Sequence, residues 1–342
     1  MTLPGRGVGQ ARTVIVMNPR SGGGKVNRFG LVKRAEQLGA QVAVTSADQG
    51  AATLARLAVE QGATVLGVAG GDGTVSAVAA VAADTHRPLV VVPAGTRNHF
   101  ARDLGLDLRD PARALNALLD RESVRVDLGL VESRTFVNNV SFGMYAEALL
   151  EPGYRRAKAR VFASIAPRYL EGQQWVGASV DAPEETIEDP QVVLVSNNPY
   201  HLSTLRHLGR RFSLNSGRLG VVVIKRPPDL PAAPPPDLLP RLRDELRRQG
   251  STGSPSAGVV TWSAPQVELR GGTPQLAAGI DGEPAALHLP VTCSILPEAL
   301  QVLLPRQRPG IPDKPLRAAR RRSGLPVAGV QQLGFRRDRP PG

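Results

Sequence analysis

One carboxylate stands among glycines in the stretch 69–74, A-G-G-D-G-T, directly after the apolar run 65–68. Such a run is typical of a buried strand. Glycine allows close approach of a ligand to the backbone, and glycine-rich loops that open a helix are common phosphate sites. An aspartate beside phosphates is repelled unless a cation lies between them. We therefore expect Asp72 to hold Mg²⁺ against phosphate oxygens, and a helix N-cap is the alternative.

Two further polar loops follow predicted strands. The loop 18–25, N-P-R-S-G-G-G-K, offers backbone N–H groups to an anion, although a plain strand-to-helix turn is the alternative. It is not a Walker A motif, because Pro19 and Val26 stand where that motif needs glycine and Ser/Thr. The loop 93–102, P-A-G-T-R-N-H-F-A-R, supplies hydroxyl, amide and guanidinium groups suited to phosphate or adenine contacts.

The elements that must position these loops alternate between strand-like and helix-like segments. Apolar runs at 13–17, 41–45, 64–68 and 89–92 alternate with helical spacing at 27–38, 51–61, 75–83 and 111–119. This alternation predicts an α/β domain over 12–128 with a parallel sheet covered on both faces. Ligands of such sheets bind at the carboxyl ends of the strands, which is where the three loops fall.

After about residue 129 the pattern changes to short β-like runs separated by Gly, Pro, Asn and Asp turns. These runs lie at 135–140, 176–180, 191–195, 219–224, 258–262, 266–270 and 285–289. They predict a mostly antiparallel second domain over 129–295, built as a β-sandwich or an open barrel. We expect helices near 155–171 and 237–248 and a stiff proline-rich loop at 227–236.

The three loops together resemble the diacylglycerol kinase catalytic domain family, which includes bacterial lipid kinases and, more distantly, sphingosine kinases and NAD kinases. The family motifs N-P-x-S-G-x-x-K, G-G-D-G-T and G-T-x-N-D-F-A-R correspond to 18–25, 70–74 and 95–102, and a late D-G-E corresponds to 281–283. The resemblance covers about residues 12–305. Because NAD kinases share only G-G-D-G-T, the first loop and the late D-G-E favour the lipid-kinase branch.

The resemblance implies an ATP- and Mg²⁺-dependent kinase that phosphorylates a hydroxyl of diacylglycerol or a similar lipid. It implies a nucleotide cleft between an α/β domain and a β-sandwich domain, with a last strand near 296–304 that returns to the first domain. Glu283 would be the general base, and a surface position in a hairpin turn is the alternative. Asp72 and Asp127 would hold magnesium. The residues implied in nucleotide binding are Asn18, Ser21, Gly22, Gly23, Lys25, Thr45, Gly70, Gly71, Asp72, Gly73, Thr74, Ser76, Gly95, Thr96 and Asn98.

The chain departs from the family pattern at two positions. His99 stands where the family usually has an Asp that shares a magnesium–water network with the residues matching Asp72 and Asp127. A neutral imidazole cannot replace a carboxylate for a hard cation, so we expect the metal to depend on the two aspartates. Many bacterial relatives carry Asp near Ser216 for a separate structural Mg²⁺, and we expect that ion not to bind here.

The formal charge of +12 is concentrated at the end of the 342-residue chain, where 306–342 contains ten Arg or Lys and two Asp. We expect this Pro- and Gly-rich tail to be disordered, and we favour a solvated tail over one that binds anionic lipid or nucleic acid. Cys293 is the only cysteine, which excludes an internal disulfide and favours a buried, inert thiol.

The sequence shows no apolar signal-peptide region and no apolar run of membrane-spanning length, so we expect a cytoplasmic protein. The segment 154–169 mixes basic and apolar residues. It would suit peripheral contact with the inner membrane face, and an ordinary domain-edge helix is the alternative. We expect a lipid substrate at the membrane surface and no nucleic-acid partner, and we leave a homodimer open.

Two other functions remain open at this point. One is a kinase for a soluble acceptor, such as NAD or a sugar-like alcohol, because the acceptor pocket has no motif of its own. The other is a nucleotide or lipid sensor without catalysis, because His99 and Ser216 replace family carboxylates.

Overall fold

The structure is a computed structural model that describes residues 12–151, 154, 157, 160–161, 164–165, 168–169, 174–201, 210–211, 213–225, 258–271 and 273–309. The predicted helix at 237–248, the loop at 227–236 and the tail from 310 onward lie outside these residues, as does much of the predicted helix at 155–171. Among the residues described, no helix combines the length and the apolar character needed to cross a membrane.

The first part of the chain alternates strands and helices, as its apolar periodicity predicts. The strands are β1 Thr13–Met17, β2 Gln41–Val44, β3 Val65–Gly70 and β4 Leu89–Pro93, and they pair in parallel in the order β2-β1-β3-β4. The helices are α1 Lys25–Arg28, α2 Leu31–Gln37, α3 Ala51–Glu60, α4 Asp72–Asp84, α5 His99–Asp103 and α6 Ala117–Asp120, and a 3₁₀ helix spans Pro111–Asn116.

Every residue of β1, β3 and β4 is buried. Since successive side chains of a strand point to opposite faces, this burial means that the sheet is covered on both sides. The predicted α/β class is therefore confirmed. The predicted helix at 27–38 is in fact two helices, because Gly30 adopts φ +58 and interrupts the chain between α1 and α2.

The second part of the chain is mostly antiparallel, as predicted. Its helices include α7 Met144–Leu150, and the strands described are β5 Glu122–Val131, β6 Arg134–Phe136, β7 Asn139–Gly143, β8 Ser179–Asp181, β9 Thr186–Ile187, β10 Val192–Asn197, β11 Tyr200–His201, β12 Arg210–Arg211, β13 Leu219–Ile224, β14 Val259–Ala264, β15 Gln266–Arg270, β16 Gln275–Ile280, β17 Glu283–His288 and β18 Val291–Leu304. One six-stranded sheet has the order β14-β13-β10-β7-β16-β17. Its apolar side chains share a core with those of β5, β6, β8, β9, β15 and β18, so two sheets pack face to face.

The strand β18 takes part in both halves of the molecule. Its first residues pair with β15 in the second half, where Cys293 lies opposite Val267. After a register shift between Leu296 and Leu300, its last residues extend the parallel sheet, and Val302 lies opposite Leu89 of β4. Residues of the loops that follow β1, β3 and β4 line one cavity together with Glu283 of the second half.

Candidate active site

The loops after β1 and β3 are joined by side-chain hydrogen bonds at the carboxyl edge of the sheet. The backbone N–H of Gly71 donates to Ser21 Oγ at 3.3 Å. Asn18 Nδ2 donates to Thr74 Oγ1 at 3.3 Å, which ties the first loop to the first turn of α4. The first two motifs therefore form one continuous surface.

The loop after β4 packs on both of these loops through glycine backbone. A Cβ atom on Gly22 would lie 2.4 Å from the carbonyl oxygen of Ala94, and one on Gly95 would lie 2.3 Å from Gly71 Cα. Real side chains do not tolerate such distances, so these positions require glycine for loop packing. The sequence interpretation assigned the glycines to ligand approach alone, and the structure adds this second reason.

Asn98 shapes the third loop from inside. It adopts φ +55, and its buried amide bonds the backbone of Gly95 twice, accepting from the N–H at 2.8 Å and donating to the carbonyl at 2.9 Å. Asn98, predicted as a nucleotide contact, therefore holds the shape of the loop. Thr96 in the same loop is exposed and lines the cavity.

The three loops surround a cavity of about 650 Å³, a size typical of small-molecule sites. Predicted residues that line it are Asn18, Ser21, Gly22, Thr45, Gly71, Gly73, Thr74, Gly95, Thr96 and Glu283, and the other lining residues are Arg20, Ser46, Gly50, Ala51 and Ala77. The structure thus brings all four motifs to one cavity.

The remaining predicted nucleotide residues are not among those that line the cavity. A Cβ on Gly70 would lie 2.6 Å from the Thr74 side chain, so Gly70 is needed for close packing. Gly23 adopts φ +68 with open space around it. Lys25 opens α1, and burial, followed by the charge of Arg28, lowers the pKa of its ammonium group.

Asp72 is the first residue of α4, and Gly71 before it is the cap. The N-cap alternative is therefore wrong for Asp72. A helix start leaves backbone N–H groups without helical partners and favours negative charge, so this position suits both a carboxylate and phosphate groups. Asp72 is half-buried, and its Oδ1 accepts a hydrogen bond of 3.5 Å from Asn138 Nδ2.

His99 lies near Asp72. Burial lowers the pKa of its imidazole, the charge of Asp72 opposes that shift, and Arg102 and Arg97 reinforce it. The His99 imidazole, which stands where the family usually has an aspartate, therefore favours its neutral form.

The turn before Glu283 is anchored to the rest of the site by Asp281. Asp281 and Gly282 have φ of +49 and +83, as a two-residue hairpin between β16 and β17 requires. The buried Asp281 carboxylate accepts three backbone N–H bonds, from Val137 at 2.8 Å, Asn138 at 2.7 Å and Asn139 at 3.1 Å.

Ser76 of α4 also donates to the Asp281 carboxylate, so the turn is tied to the same helix that carries Asp72. Burial raises the pKa of Asp281, and the hydrogen bonds from Ser76 and the three amides oppose that shift. Ser76, predicted as a nucleotide contact, thus acts here as a link between α4 and the hairpin.

Glu283 follows this anchored turn and is exposed at the cavity wall. Its carboxylate reaches the first turn of α4, because a Cβ on Gly73 would lie 2.9 Å from Glu283 Oε1. Two motifs far apart in sequence, G-G-D-G-T and D-G-E, therefore place two carboxylates at one helix start.

Asp127 has a different environment from the one predicted. Its side chain is fully buried. Its Oδ2 accepts the N–H of Gly217 and its Oδ1 the N–H of Glu298, each at 2.8 Å. Both oxygens already accept a backbone N–H group, so these contacts do not support the predicted role as a metal ligand.

The loop near Ser216 is held by direct hydrogen bonds. The backbone N–H and the hydroxyl of Ser216 both donate to Asn198 Oδ1, at 2.7 and 2.6 Å. Together with the bond from Gly217 to Asp127, these contacts fix the loop 213–218 through side chains of its neighbours.

Residues 12–131 match the family model of the diacylglycerol kinase catalytic domain. Diacylglycerol kinase from Staphylococcus carnosus is 31% identical over 169 residues, which cover 48% of this chain and 54% of that protein. Diacylglycerol kinase from Mycobacterium tuberculosis is 34% identical over 125 residues, which cover 35% of this chain and 40% of that protein. The chain thus matches about half of the length of these curated relatives.

The likeness in fold extends beyond the matched domain. The crystal structure of a diacylglycerol kinase from Bacillus anthracis superposes with a TM-score of 0.58 at 15% identity, over 86% of this chain and 97% of that one. The chain therefore shares its fold with this solved protein, and at this coverage the likeness extends into the sandwich that carries Glu283.

The side chains of the matched domain fit a magnesium ion that is shared with a phosphate ligand. Mg²⁺ is commonly held by one or two carboxylates together with phosphate oxygens and waters, and Asp72 offers such a carboxylate at a helix start. Within the described residues no three His, Cys, Asp or Glu side chains form a group that could hold a metal. A metal here would therefore need oxygens from the bound ligand.

Besides the five unpredicted lining residues, sequence reasoning missed two residues that support this site. Asp281 could have been found, because it belongs to the same D-G-E motif as Glu283. Asn138 carries no motif signal, and its contact with Asp72 arises only because β6 and β7 bring the segment 137–139 beside α4.

Proposed function

We propose that this protein is an ATP- and Mg²⁺-dependent lipid kinase that transfers the γ-phosphoryl group to a hydroxyl of diacylglycerol or a similar lipid. The observation that supports it most is the position of Glu283, whose Oε1 lies beside Gly73 at the start of α4, next to Asp72. A carboxylate base and a metal-binding carboxylate are the two groups that phosphoryl transfer to an alcohol needs in one place.

The cavity would bind the nucleotide through its three loops. The backbone of Gly71 and Gly73 at the start of α4, and the side chains of Ser21, Thr74 and Thr96, would contact the phosphates. Catalysis of phosphoryl transfer depends mainly on such positioning and on neutralising charge. When bound, magnesium would neutralise phosphate charge, and Asp72 would hold it.

Glu283 would orient the acceptor hydroxyl and accept its proton. As the hydroxyl oxygen forms its bond to the γ-phosphorus, the bond from that phosphorus to the leaving ADP oxygen breaks, and the proton moves to Glu283. The exposed position of Glu283 at the cavity wall suits an acceptor that arrives from a membrane surface.

A sensor that binds nucleotide without transferring phosphate is the second candidate. It is favoured by the shortage of carboxylates around Asp72. His99 lies near Asp72 in place of an aspartate, and the Asp127 carboxylate accepts backbone N–H groups. Fewer carboxylates than usual would then hold the metal.

The decisive experiment offers purified protein, ATP and Mg²⁺ to a lipid extract and, separately, to NAD, with products read by mass spectrometry. We expect a phosphorylated lipid. Glu283→Gln should lower turnover roughly 10²- to 10⁴-fold, because it removes the proton acceptor, while calorimetry shows ATP binding retained. Glu184→Gln, on the exposed turn between β8 and β9, is the matched control and should keep full activity.

Full activity of Glu283→Gln would overturn the assignment of the base. Phosphorylation of NAD in place of lipid would overturn the acceptor. Tight nucleotide binding with no transfer to any lipid would favour the sensor.

A further inference from the structure

Arg211 is a buried cation behind the candidate site. Its side chain has no exposed surface and forms an ion pair with Asp103, which is 1% exposed, with Nε and Oδ2 2.7 Å apart. Asp103 is the last residue of α5, the helix that follows the third loop. Burying such a pair costs desolvation energy and is not in itself evidence of stability, so its other contacts are informative.

The guanidinium group of Arg211 uses its other N–H groups to join two further segments. Its Nη1 donates to the carbonyl oxygens of Val137 at 2.6 Å and Asn197 at 2.8 Å, and its Nη2 donates to Asn138 Oδ1 at 3.0 Å. A planar guanidinium fixes the direction of each bond. Arg211 therefore sets the positions of α5, the end of β10 and the segment 137–139 relative to one another.

The bond from Arg211 decides how the Asn138 amide is oriented. Arginine can only donate, so the oxygen of Asn138 must face Arg211 and the Nδ2 group must face the other way. That group points at Asp72 Oδ1, 3.5 Å away. The backbone N–H of Asn138 also donates to Asp281, which anchors the turn before Glu283.

We propose that Asn138 and Arg211 are positioning residues that orient the Asp72 carboxylate for the metal–nucleotide complex. This inference rests on the proposed function, because it concerns the metal that Asp72 would hold. Asn138 restrains one oxygen of Asp72 and thereby directs the carboxylate, and Arg211 holds Asn138 in the required orientation. Partners that orient a metal ligand in this way commonly change metal affinity when they are removed.

Asn197 provides a matched control in the same buried network. Its side-chain amide donates to the carbonyl oxygens of Asp127 at 2.8 Å and Val137 at 3.2 Å, and its Oδ1 accepts from Asn198 Nδ2 at 3.0 Å. None of these bonds reaches the Asp72 carboxylate. Asn197→Ala and Asn138→Ala remove the same kind of group. Of these two variants, only Asn138→Ala should change the factor by which Mg²⁺ tightens ADP binding.

The experiment measures ADP binding by calorimetry, with and without Mg²⁺, in the wild type, Asn138→Ala, Arg211→Lys and Asn197→Ala. The quantity compared is the factor by which Mg²⁺ tightens ADP binding. We expect Asn138→Ala to reduce that factor roughly tenfold, as is typical for loss of an orienting partner. Arg211→Lys keeps the charge opposite Asp103 but loses the planar fork, and it should reduce the factor by a smaller amount. Asn197→Ala should lower the melting temperature and leave the factor unchanged.

The inference is overturned if Asn138→Ala leaves the factor unchanged, or if Asn197→Ala reduces it equally. If Asn138→Ala does not fold, Arg211→Lys decides, and an unchanged factor in that variant overturns the inference. A wild type that shows the Mg²⁺ effect but phosphorylates no lipid would contradict the proposed function alone. A wild type without any Mg²⁺ effect on ADP binding would contradict both.

Discussion

Gly71 and Gly95 meet through their backbones. A Cβ on Gly95 would lie 2.3 Å from Gly71 Cα, whereas a Cβ on Gly71 would lie 3.6 Å from Gly95 Cα, which is an ordinary contact. The contact between the loops after β3 and β4 therefore requires glycine at position 95 much more than at position 71.

This asymmetry predicts different costs for two similar substitutions. Gly95→Ala should lower the free energy of unfolding by about 3 kcal/mol, because backbone atoms must move to admit the methyl group. Gly71→Ala adds the same methyl group at an allowed distance and should cost clearly less. Urea denaturation of both variants checks the order, and equal costs would contradict the loop contact described here.

Gly73→Ala should separate stability from activity. The added methyl group would meet only the end of the Glu283 side chain, at 2.9 Å, which can move away. Gly73 lies inside α4, where alanine favours the helix by about 0.5–1 kcal/mol relative to glycine. We expect unchanged or higher stability and a turnover lowered about 10²-fold, because a general base displaced by an ångström acts poorly.

A double-mutant cycle tests whether that loss passes through Glu283. In a Glu283→Gln background, Gly73→Ala should lower turnover little further, since the group that it displaces has already lost its function. Additive losses in the double variant would show that Gly73→Ala acts on another part of the site.

Asp72 and Asp127 should respond in opposite ways to the same isosteric change. Asp127→Asn puts an NH₂ group against a backbone N–H and should lower the free energy of unfolding by about 2 kcal/mol. The Mg²⁺ concentration that Asp127→Asn needs for tight ADP binding should stay that of the wild type. Asp72→Asn should change stability by less than about 1 kcal/mol, as expected for a charge near a helix start, and should raise the Mg²⁺ requirement.

Urea denaturation and Mg²⁺ titration of ADP binding provide the two measurements. A large rise in the Mg²⁺ requirement of Asp127→Asn, at unchanged stability, would restore the metal role that the sequence suggested for it.

The reactivity of the Cys293 thiol should report unfolding of the protein. The thiol is fully buried, and burial raises its pKa to about 12 from the ordinary value of 9.0. Because the thiolate is disfavoured only in the folded state, this group stabilises the fold below pH 9 and that contribution is lost as the pH rises toward 12. At pH 8 a thiol reagent should modify Cys293 only in denaturant, along the same transition as the circular dichroism signal. Rapid modification of the native protein would contradict its burial.

Much of the site could be predicted from local sequence, because the three loops directly follow apolar strands of one parallel sheet. The runs 13–17 and 89–92 predict β1 and β4 almost to the residue, and the carboxyl ends of such strands must meet at one edge. The two-residue turn at Asp281 is likewise a local property of its sequence.

Contacts between distant segments could not be predicted in this way. Nothing near Asp127 indicates that its carboxylate accepts N–H groups from two loops far along the chain. The partner of Asn138 is Arg211 from a strand of two residues, too short to show any periodicity. The alternation in β5, at Val124, Val126 and Leu128, was available in the sequence and was missed.

The path of β18 also bears on how this protein is made. The parallel sheet behind the cavity is complete only when Val302 and Leu303 pair with β4. On the ribosome, β4 emerges long before β18, so the edge of β4 lacks its β18 partner until the whole sandwich has been synthesised. Pairing between such distant segments is slow to form because a long loop must close first. The nascent chain thus completes this parallel sheet only after β18 has emerged, so the pairing of β18 with β4 is a late step in folding.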